Sequence, residues 1–258
     1  MKKRLDVLLV ERGLAPSRKQ AQALILAGDV AVAGNKIEKA GAQVDPDVEI
    51  SLRAPSPYAS RGGYKLAGAL ADFGVSPAGK VCADIGASTG GFTDVLLQQG
   101  ASRIYAIDVG YGQLAWKLRQ DSRVVVMDRL NARYLESLPE PVDLIVIDVS
   151  FISLELILRV AVRLLNPNGE IIALIKPQFE AGRGKVGRGG IVRDKETHRS
   201  VLQKIVAVSQ SLGLYVLGLT RSSIHGTEGN VEFLIHLSRD PSSASIDVPG
   251  EVARVLSE

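Results

Sequence analysis

The 258-residue sequence holds a single cysteine, Cys82. One thiol excludes an intramolecular disulfide and any multi-cysteine metal site, so no metal is expected, and it fits a reducing compartment. Cys82 sits in an apolar run, where it reads as a small buried hydrophobe rather than a nucleophile. Long apolar stretches are missing too: none is long enough to span a bilayer. Near the start, Asp6, Glu11 and Arg12 interrupt what would be the apolar core of a secretion signal. No internal repeat or low-complexity tract stands out. Charge of one sign is modest, with a formal net charge of +3, so nucleic-acid binding has to be argued from where basic residues cluster. These absences predict a soluble, cytoplasmic protein. The 46 % of apolar residues against 23 % charged suffices for a sizeable core.

Two textures meet near residue 60. Leu5, Leu8 and Leu9 have helical spacing, and Gly13 stops that helix. Ser17 suits the N-cap of a second helix, whose Ala21, Leu24 and Ile25 form an apolar stripe ending before Gly28. Val30 and Val32 alternate as a strand, Gly34-Asn35 predicts a turn, and Val48 and Ile50 predict a closing strand. The result is a small α+β domain over 1–54, near the lower size limit for independent folding. Pro55, Ser56 and Pro57 begin a linker over 55–64. Farther on, strand-like runs at 81–85, 104–108, 124–127, 144–148 and 171–175 alternate with helical segments. Fully apolar strands bounded by helices signal a parallel sheet covered on both faces. Runs at 214–219 and 231–236 follow a helix over roughly 198–212, and predict an antiparallel hairpin at the sheet edge. The fold class is therefore α/β: a Rossmann-like, seven-stranded, mostly parallel sheet with an antiparallel edge strand over 65–240, then a tail over 241–258.

The sharpest local feature is Asp84-Ile85-Gly86-Ala87-Ser88-Thr89-Gly90-Gly91-Phe92, directly after a strand and opening a helix. Glycines there let the backbone pass close to a ligand, and the helix start offers free amides. The spacing differs from the dinucleotide Gly-x-Gly-x-x-Gly, and no Gly-Lys-Ser/Thr follows for phosphate. Asp84, before the turn, favours a ligand bearing a sulfonium and an amine over a pyrophosphate. Asp108 ends the next strand, where a carboxylate accepts from a ribose diol. Asp128 follows the third strand and would accept from an adenine amino group. Each acid alone could cap a turn; three in succession, with Gly86, Ser88, Gly90, Gly91 and Phe92, predict an S-adenosylmethionine site.

The segments 84–94, 108–116, 148–154 and 175–183 together resemble the TlyA (haemolysin A) family, in which an S4-type RNA-binding domain precedes an FtsJ-like methyltransferase domain. The resemblance runs from Arg4 to about Arg239. It implies 2′-O-methylation of cytidine in ribosomal RNA, with ribosomal RNA or ribosomal subunits as partners. It also implies a Lys-Asp-Lys-Glu tetrad, matched here by Lys65, Asp148, Lys176 and Glu232. A ribose hydroxyl needs a proton acceptor as it attacks. A lysine serves only when burial or a neighbouring cation favours its neutral form. Lys176 is read as that base, Lys65 as the neighbouring cation, and Asp148 and Glu232 as the groups that orient both. Asp128 departs from the pattern, which implies a glutamate there.

RNA contacts are expected from Arg4, Arg18 and Lys19 in the S4-like unit, from Arg61 beside Lys65, and from Arg183, Lys185 and Arg188 in a glycine-rich loop. The S4-like pattern implies an asparagine where Ala33 stands. Tyr64 or Phe151 could stack on a flipped base, although Phe151 reads more simply as a core residue. Two other functions compete: a ribosome-assembly factor with a vestigial methyltransferase fold, and a membrane-active cytolysin, which lacks any lytic amphipathic helix.

Overall fold

The computed structural model describes residues 2–52, 56–182, 184–226 and 229–257. The chain divides into two compact units, Met1–Pro57 and Tyr58–Glu258. Tyr58 to Tyr64, placed in the linker by composition, thus belong to the second unit, and Pro55 of that linker lies outside the described residues.

In the first unit β1 (Lys3–Arg4) leads into α1 (Leu5–Glu11), then α2 (Arg18–Ala27), β2 (Val30–Val32), β3 (Asn35–Lys36), β4 (Gln43–Val44) and β5 (Ile50–Leu52). Ser17 caps α2 as expected, its side chain accepting from the Gln20 amide, and Gly28 ends it at φ 76°. Leu5, Leu8, Leu9, Ala21, Ile25 and Val30 form the core of the unit. β2 pairs with β3 and β5, with Val32 opposite Asn35. The hairpin loop is therefore Ala33-Gly34, one residue earlier than the predicted Gly34-Asn35. Both loop residues have positive φ, 47° and 77°, the geometry whose twist suits a two-residue hairpin. An asparagine tolerates that conformation better than Ala33 does.

The second unit continues with α3 (Gly62–Phe73), β6 (Val81–Ile85), α4 (Gly91–Gln98), β7 (Arg103–Ile107), α5 (Trp116–Arg119), β8 (Val124–Met127), β9 (Val142–Ile147), α6 (Leu154–Leu164), β10 (Leu165–Ile175), α7 (Pro177–Glu180), α8 (Lys195–Ser211), β11 (Tyr215–Arg221), β12 (Phe233–Ser238) and α9 (Val248–Ser257). Its seven strands run in the order β11-β12-β10-β9-β6-β7-β8. Successive strand residues point to opposite faces, and both faces are apolar. Ala83, Ile145 and Ile171 pack under α6, α8 and α9. Cys82, Leu144 and Ile172 pack under α3 and α4. Ile145 is fully buried, and its truncation to alanine would cost about 2–5 kcal/mol. Burial pushes the Cys82 thiol up to about 12, in keeping with an inert core residue.

One detail of the sheet differs from expectation. The antiparallel strand is β12, and it lies between β10 and β11 rather than at the rim. All six of its residues are buried, which an edge strand would not need. β11 forms the rim instead, and its register slips between Val216 and Gly218. The segment after β12 covers that rim: the Ile246 amide donates to the Val216 carbonyl at 3.0 Å and Arg254 to the Leu219 carbonyl at 2.7 Å. No helix among the described residues is long and apolar enough to cross a membrane.

β6 has β7 on one side and β9 on the other. Strand order therefore reverses at β6, and a crevice opens beyond the carboxyl ends of these strands. The register brings Ile85 level with Ile107 and Ile147, so Gly86, Asp108 and Asp148 emerge side by side.

Candidate active site and RNA-binding residues

Two cavities meet at those strand ends. One, of about 570 Å³, is walled by Ile85, Gly86, Ser88, Asp108, Val109 and Asn131, among others. The turn after β6 approaches Asp148 so closely that a Cβ on Gly86, at φ +90°, would strike the Asp148 carbonyl oxygen and lie 2.9 Å from its carbon. A Cβ on Gly91 would collide with Ser60 and come within 2.9 Å of the Gly63 amide nitrogen. The glycines thus serve close approach, as their spacing suggests. Ser88 takes φ 47°, and its amide donates to Asp108 at 2.8 Å. The Gly110 amide donates to the other Asp108 oxygen at 2.7 Å. A carboxylate has about four acceptor positions, so Asp108 retains room for a diol.

Asp84 is wholly buried. Thr93 donates to one oxygen at 2.6 Å, while the other is buried without a hydrogen-bond partner. Burial, above all, pushes this carboxyl up to about 7, against the Thr93 bond and with help from Asp148 and Asp108. An orphaned buried acid beside a glycine cradle fits a cationic ligand, and the diol-accepting Asp108 fits its sugar. The residues present therefore suit S-adenosylmethionine.

Asp128 behaves otherwise. Arg119 holds its carboxylate, with the Gly112 amide at 3.2 Å. Burial alone would raise its pKa, but Arg119 and the amide keep it below the usual carboxylate range. Leu130, Asn131 and Ala132, rather than Asp128, line the cavity.

The second cavity, of about 450 Å³, shares Gly86, Ser88, Asp148, Ser150 and Phe151 with the first. All four tetrad residues line it. They come from the first turns of α3 (Lys65), the end of β9 (Asp148), the end of β10 (Lys176) and the segment before β12 (Glu232). Each lysine has its own carboxylate: Lys65 meets Glu232 at 2.5 Å and Lys176 meets Asp148 at 2.5 Å. The lysine side chains are only 11 % and 10 % exposed. Lys176 also donates to Ser150 Oγ at 2.9 Å, and Gln178 Nε2 donates to Glu232 at 3.3 Å. Gly189 and Gly190 of the glycine-rich loop reach the same cavity. Buried Asn230 ties them there, donating to the Gly190 carbonyl at 3.0 Å and accepting from the Val192 amide at 3.0 Å.

Phe151 corrects the core assignment: it is 91 % exposed, at φ 63°, on the cavity wall. Its ring lies 5.0 Å from that of Phe179. A bulky apolar side chain held in the open in a left-handed conformation is strained by about 1–3 kcal/mol. Tyr64 is also exposed.

Among the basic residues, Arg4 and Arg18 share a partner the sequence did not flag. Buried Asp6 accepts from Arg4 at 3.0 and 2.9 Å, from Arg18 at 3.0 Å and from Gln22 at 2.8 Å. The Arg4 guanidinium, despite burial and with Gln22 and Arg18, holds the Asp6 carboxyl well below the usual range. Both arginines keep exposed faces beside Lys19, which is exposed. Arg61 and Lys185 are exposed as well, Arg188 opens a short 3-10 turn, and Arg183 lies outside the described residues. Tyr111, Trp116 and Tyr134 are exposed aromatic residues, with the Arg129 guanidinium 4.1 Å over the Tyr111 ring.

Comparison with known proteins agrees with this arrangement. Residues 58–239 match the FtsJ-like methyltransferase family and residues 3–50 the S4 domain. Bacillus subtilis YqxC, named for rRNA methyltransferase activity, is 52 % identical over 92 % of this chain and 85 % of its own. The 16S/23S rRNA (cytidine-2′-O)-methyltransferase TlyA of Mycobacterium tuberculosis is 44 % identical over 99 % of this chain and 97 % of its own. A solved structure of a Streptococcus thermophilus protein that carries the name hemolysin superposes with a TM-score of 0.78 at 45 % identity, covering 99 % of this chain and 94 % of that one.

Proposed function

The chain belongs to the TlyA family of FtsJ-like methyltransferases that carry an S4 domain, and on that premise we propose that it methylates a ribose 2′-hydroxyl of cytidine in ribosomal RNA. The observation that carries this reading is the convergence of two lysine–carboxylate pairs on one cavity that opens into the glycine-lined one. S-adenosylmethionine, when bound, supplies an electrophilic methyl group already bearing positive charge at sulfur.

The remaining chemistry belongs to the protein. A ribose hydroxyl attacks only as its proton leaves, and Lys176 Nζ is the acceptor of that proton. Asp148 and Ser150 Oγ fix the direction of that nitrogen, and Asp148 stabilises the ammonium formed when it gains the proton. Lys65, paired with Glu232 and backed by Gln178, fixes the opposite wall and excludes water from it. Phe151 and Phe179 offer a shelf for the displaced cytosine. Arg4, Arg18 and Lys19 grip the RNA backbone from the S4 unit, and Arg61 and Lys185 do so from the second unit. Positioning then supplies much of the acceleration.

The test is incubation of isolated small and large ribosomal subunits with labelled S-adenosylmethionine, followed by mapping of the label. A label on a base rather than on a ribose oxygen would overturn the reading. Lys176→Ala should slow single-turnover transfer by about 100-fold or more, and full activity in that variant would remove Lys176 from its role.

A further inference from the structure

We propose that Glu180 is a positioning residue whose buried carboxylate clamps together the two walls of the tetrad cavity. The inference rests on the reading of Lys176 and Asp148 given above. α7 has only four residues, too few to hold its own conformation in water. Yet this turn presents Lys176, Gln178 and Phe179 to the cavity. Glu180, its last residue, is 2 % exposed in its side chain and points to the other side.

There the carboxylate accepts from Ser153 Oγ at 2.9 Å, from the Leu154 amide at 2.6 Å and from Lys204 of α8 at 3.0 Å. Ser153 and Leu154 are the cap and first residue of α6. Amides at a helix start have no partner within the helix and favour a negative charge. The carboxylate thus fastens the C-terminal end of α7 to the N-terminal end of α6. Between β9 and that helix start lies the loop bearing Asp148, Ser150 and Phe151.

Both walls are consequently tied behind the cavity by one buried group. In front, among the described residues, they meet through Lys176–Asp148, Lys176–Ser150 and the Phe151–Phe179 pair. Phe151 is open to solvent and in a left-handed conformation, so the front contacts do not by themselves hold the loop. Glu180 supplies the constraint that a strained, exposed position requires. It touches no substrate; it acts through the geometry of Lys176 and Asp148.

The experiment uses the full chain with Glu180→Asp, which keeps the charge but is one methylene too short, and Glu180→Gln, which keeps an acceptor for the Leu154 amide. Single-turnover methyl transfer to a ribosomal subunit should fall by about 10- to 100-fold in Glu180→Asp, with Glu180→Gln restoring part of the loss. Because Asp148, Ser150 and Phe151 also line the first cavity, affinity for S-adenosylmethionine should fall by less than the rate does. Amide exchange at 150–154 and 177–180 should rise together in Glu180→Asp. An unchanged rate in Glu180→Asp overturns the proposal, as does a loss of cofactor affinity in step with the rate. If the wild-type protein methylates no subunit, the functional reading fails separately. The exchange experiment then still decides the clamp, and unchanged exchange refutes it.

Discussion

Asp84→Asn should remove a contribution to stability that falls as pH rises, and the size of the effect follows from the burial of Asp84. A carboxyl ordinarily titrates near 3.8, whereas in the folded chain this one rises to about 7. Between those values the unfolded chain has released the proton and the folded chain still holds it. Stability therefore falls as pH rises through that window, and is flat above it. The full interval corresponds to about 4 kcal/mol, of which about 2 kcal/mol is lost between pH 5 and pH 7. Buried His198, its pKa lowered chiefly by desolvation, acts in the opposite sense over the same range. The difference between wild type and Asp84→Asn removes that contribution, since both proteins contain His198. Asparagine keeps an oxygen for the Thr93 hydroxyl but has no proton to lose. Urea unfolding without cofactor, followed by the fluorescence of the single tryptophan, Trp116, reports on this unit. Wild type should lose stability from pH 5 to pH 7 relative to Asp84→Asn. Parallel curves for the two proteins would refute the assignment of a protonated, buried Asp84. The same reasoning expects proton release when S-adenosylmethionine binds below pH 7, measurable by calorimetry in buffers of different ionisation enthalpy.

Gly86→Ala should be damaging twice over: its φ costs about 1–2 kcal/mol for a residue with a Cβ, and its methyl group displaces Asp148. A lower melting temperature and a roughly 100-fold slower single turnover are expected; wild-type rates would show that Asp148 tolerates the shift. Ala33→Asn should stabilise the first unit by about 0.5–1 kcal/mol, because asparagine suits the left-handed hairpin position. Its urea midpoint must move upward, and a downward shift contradicts the turn geometry. Phe151→Gly should leave thermal stability unchanged or raised, since it removes an exposed ring from a strained backbone. Methyl transfer should nevertheless fall by about 10-fold or more if a base stacks there, and unaltered transfer would end that role.

Much of the architecture was legible because the chemistry of a doubly covered sheet leaves a coarse mark. The runs at 81–85 and 124–127 coincide with β6 and β8 residue for residue. Their apolar side chains serve both faces, and polar residues bound them. β10 was underread because its first half, with Asn166, Pro167, Asn168 and Gly169, looks like a turn; one rung, Leu165 opposite Val142, brings it into the sheet. The antiparallel hairpin of β11 and β12 at the sheet edge was legible, but which of the two lies at the rim was not, since periodicity tells which faces are buried and not which strand lies alongside. In the site, Lys65, Asp148, Lys176 and Glu232 were found through resemblance, and the structure brings them to one cavity. Asp6 and Glu180 escaped notice because an acid in a helix normally faces water; only tertiary contacts reveal that several donors surround it. Phe151 was named as a stacking candidate but read more simply as core, because an aromatic residue in an apolar motif is ordinarily inside.

The cover over β11 has a consequence for the company this protein keeps. A rim strand with vacant carbonyls is a template on which a second chain can extend the sheet. Ile246 and Arg254 answer two of those carbonyls from within the same molecule, and the register slip at Val216–Gly218 breaks the rhythm an incoming strand would have to match. The serine-bearing stretch 242–245 leads into these contacts, and α9 holds them in place through Val252 and Val255, which join the core. A tail docked in this way closes those two positions of the rim to an incoming strand.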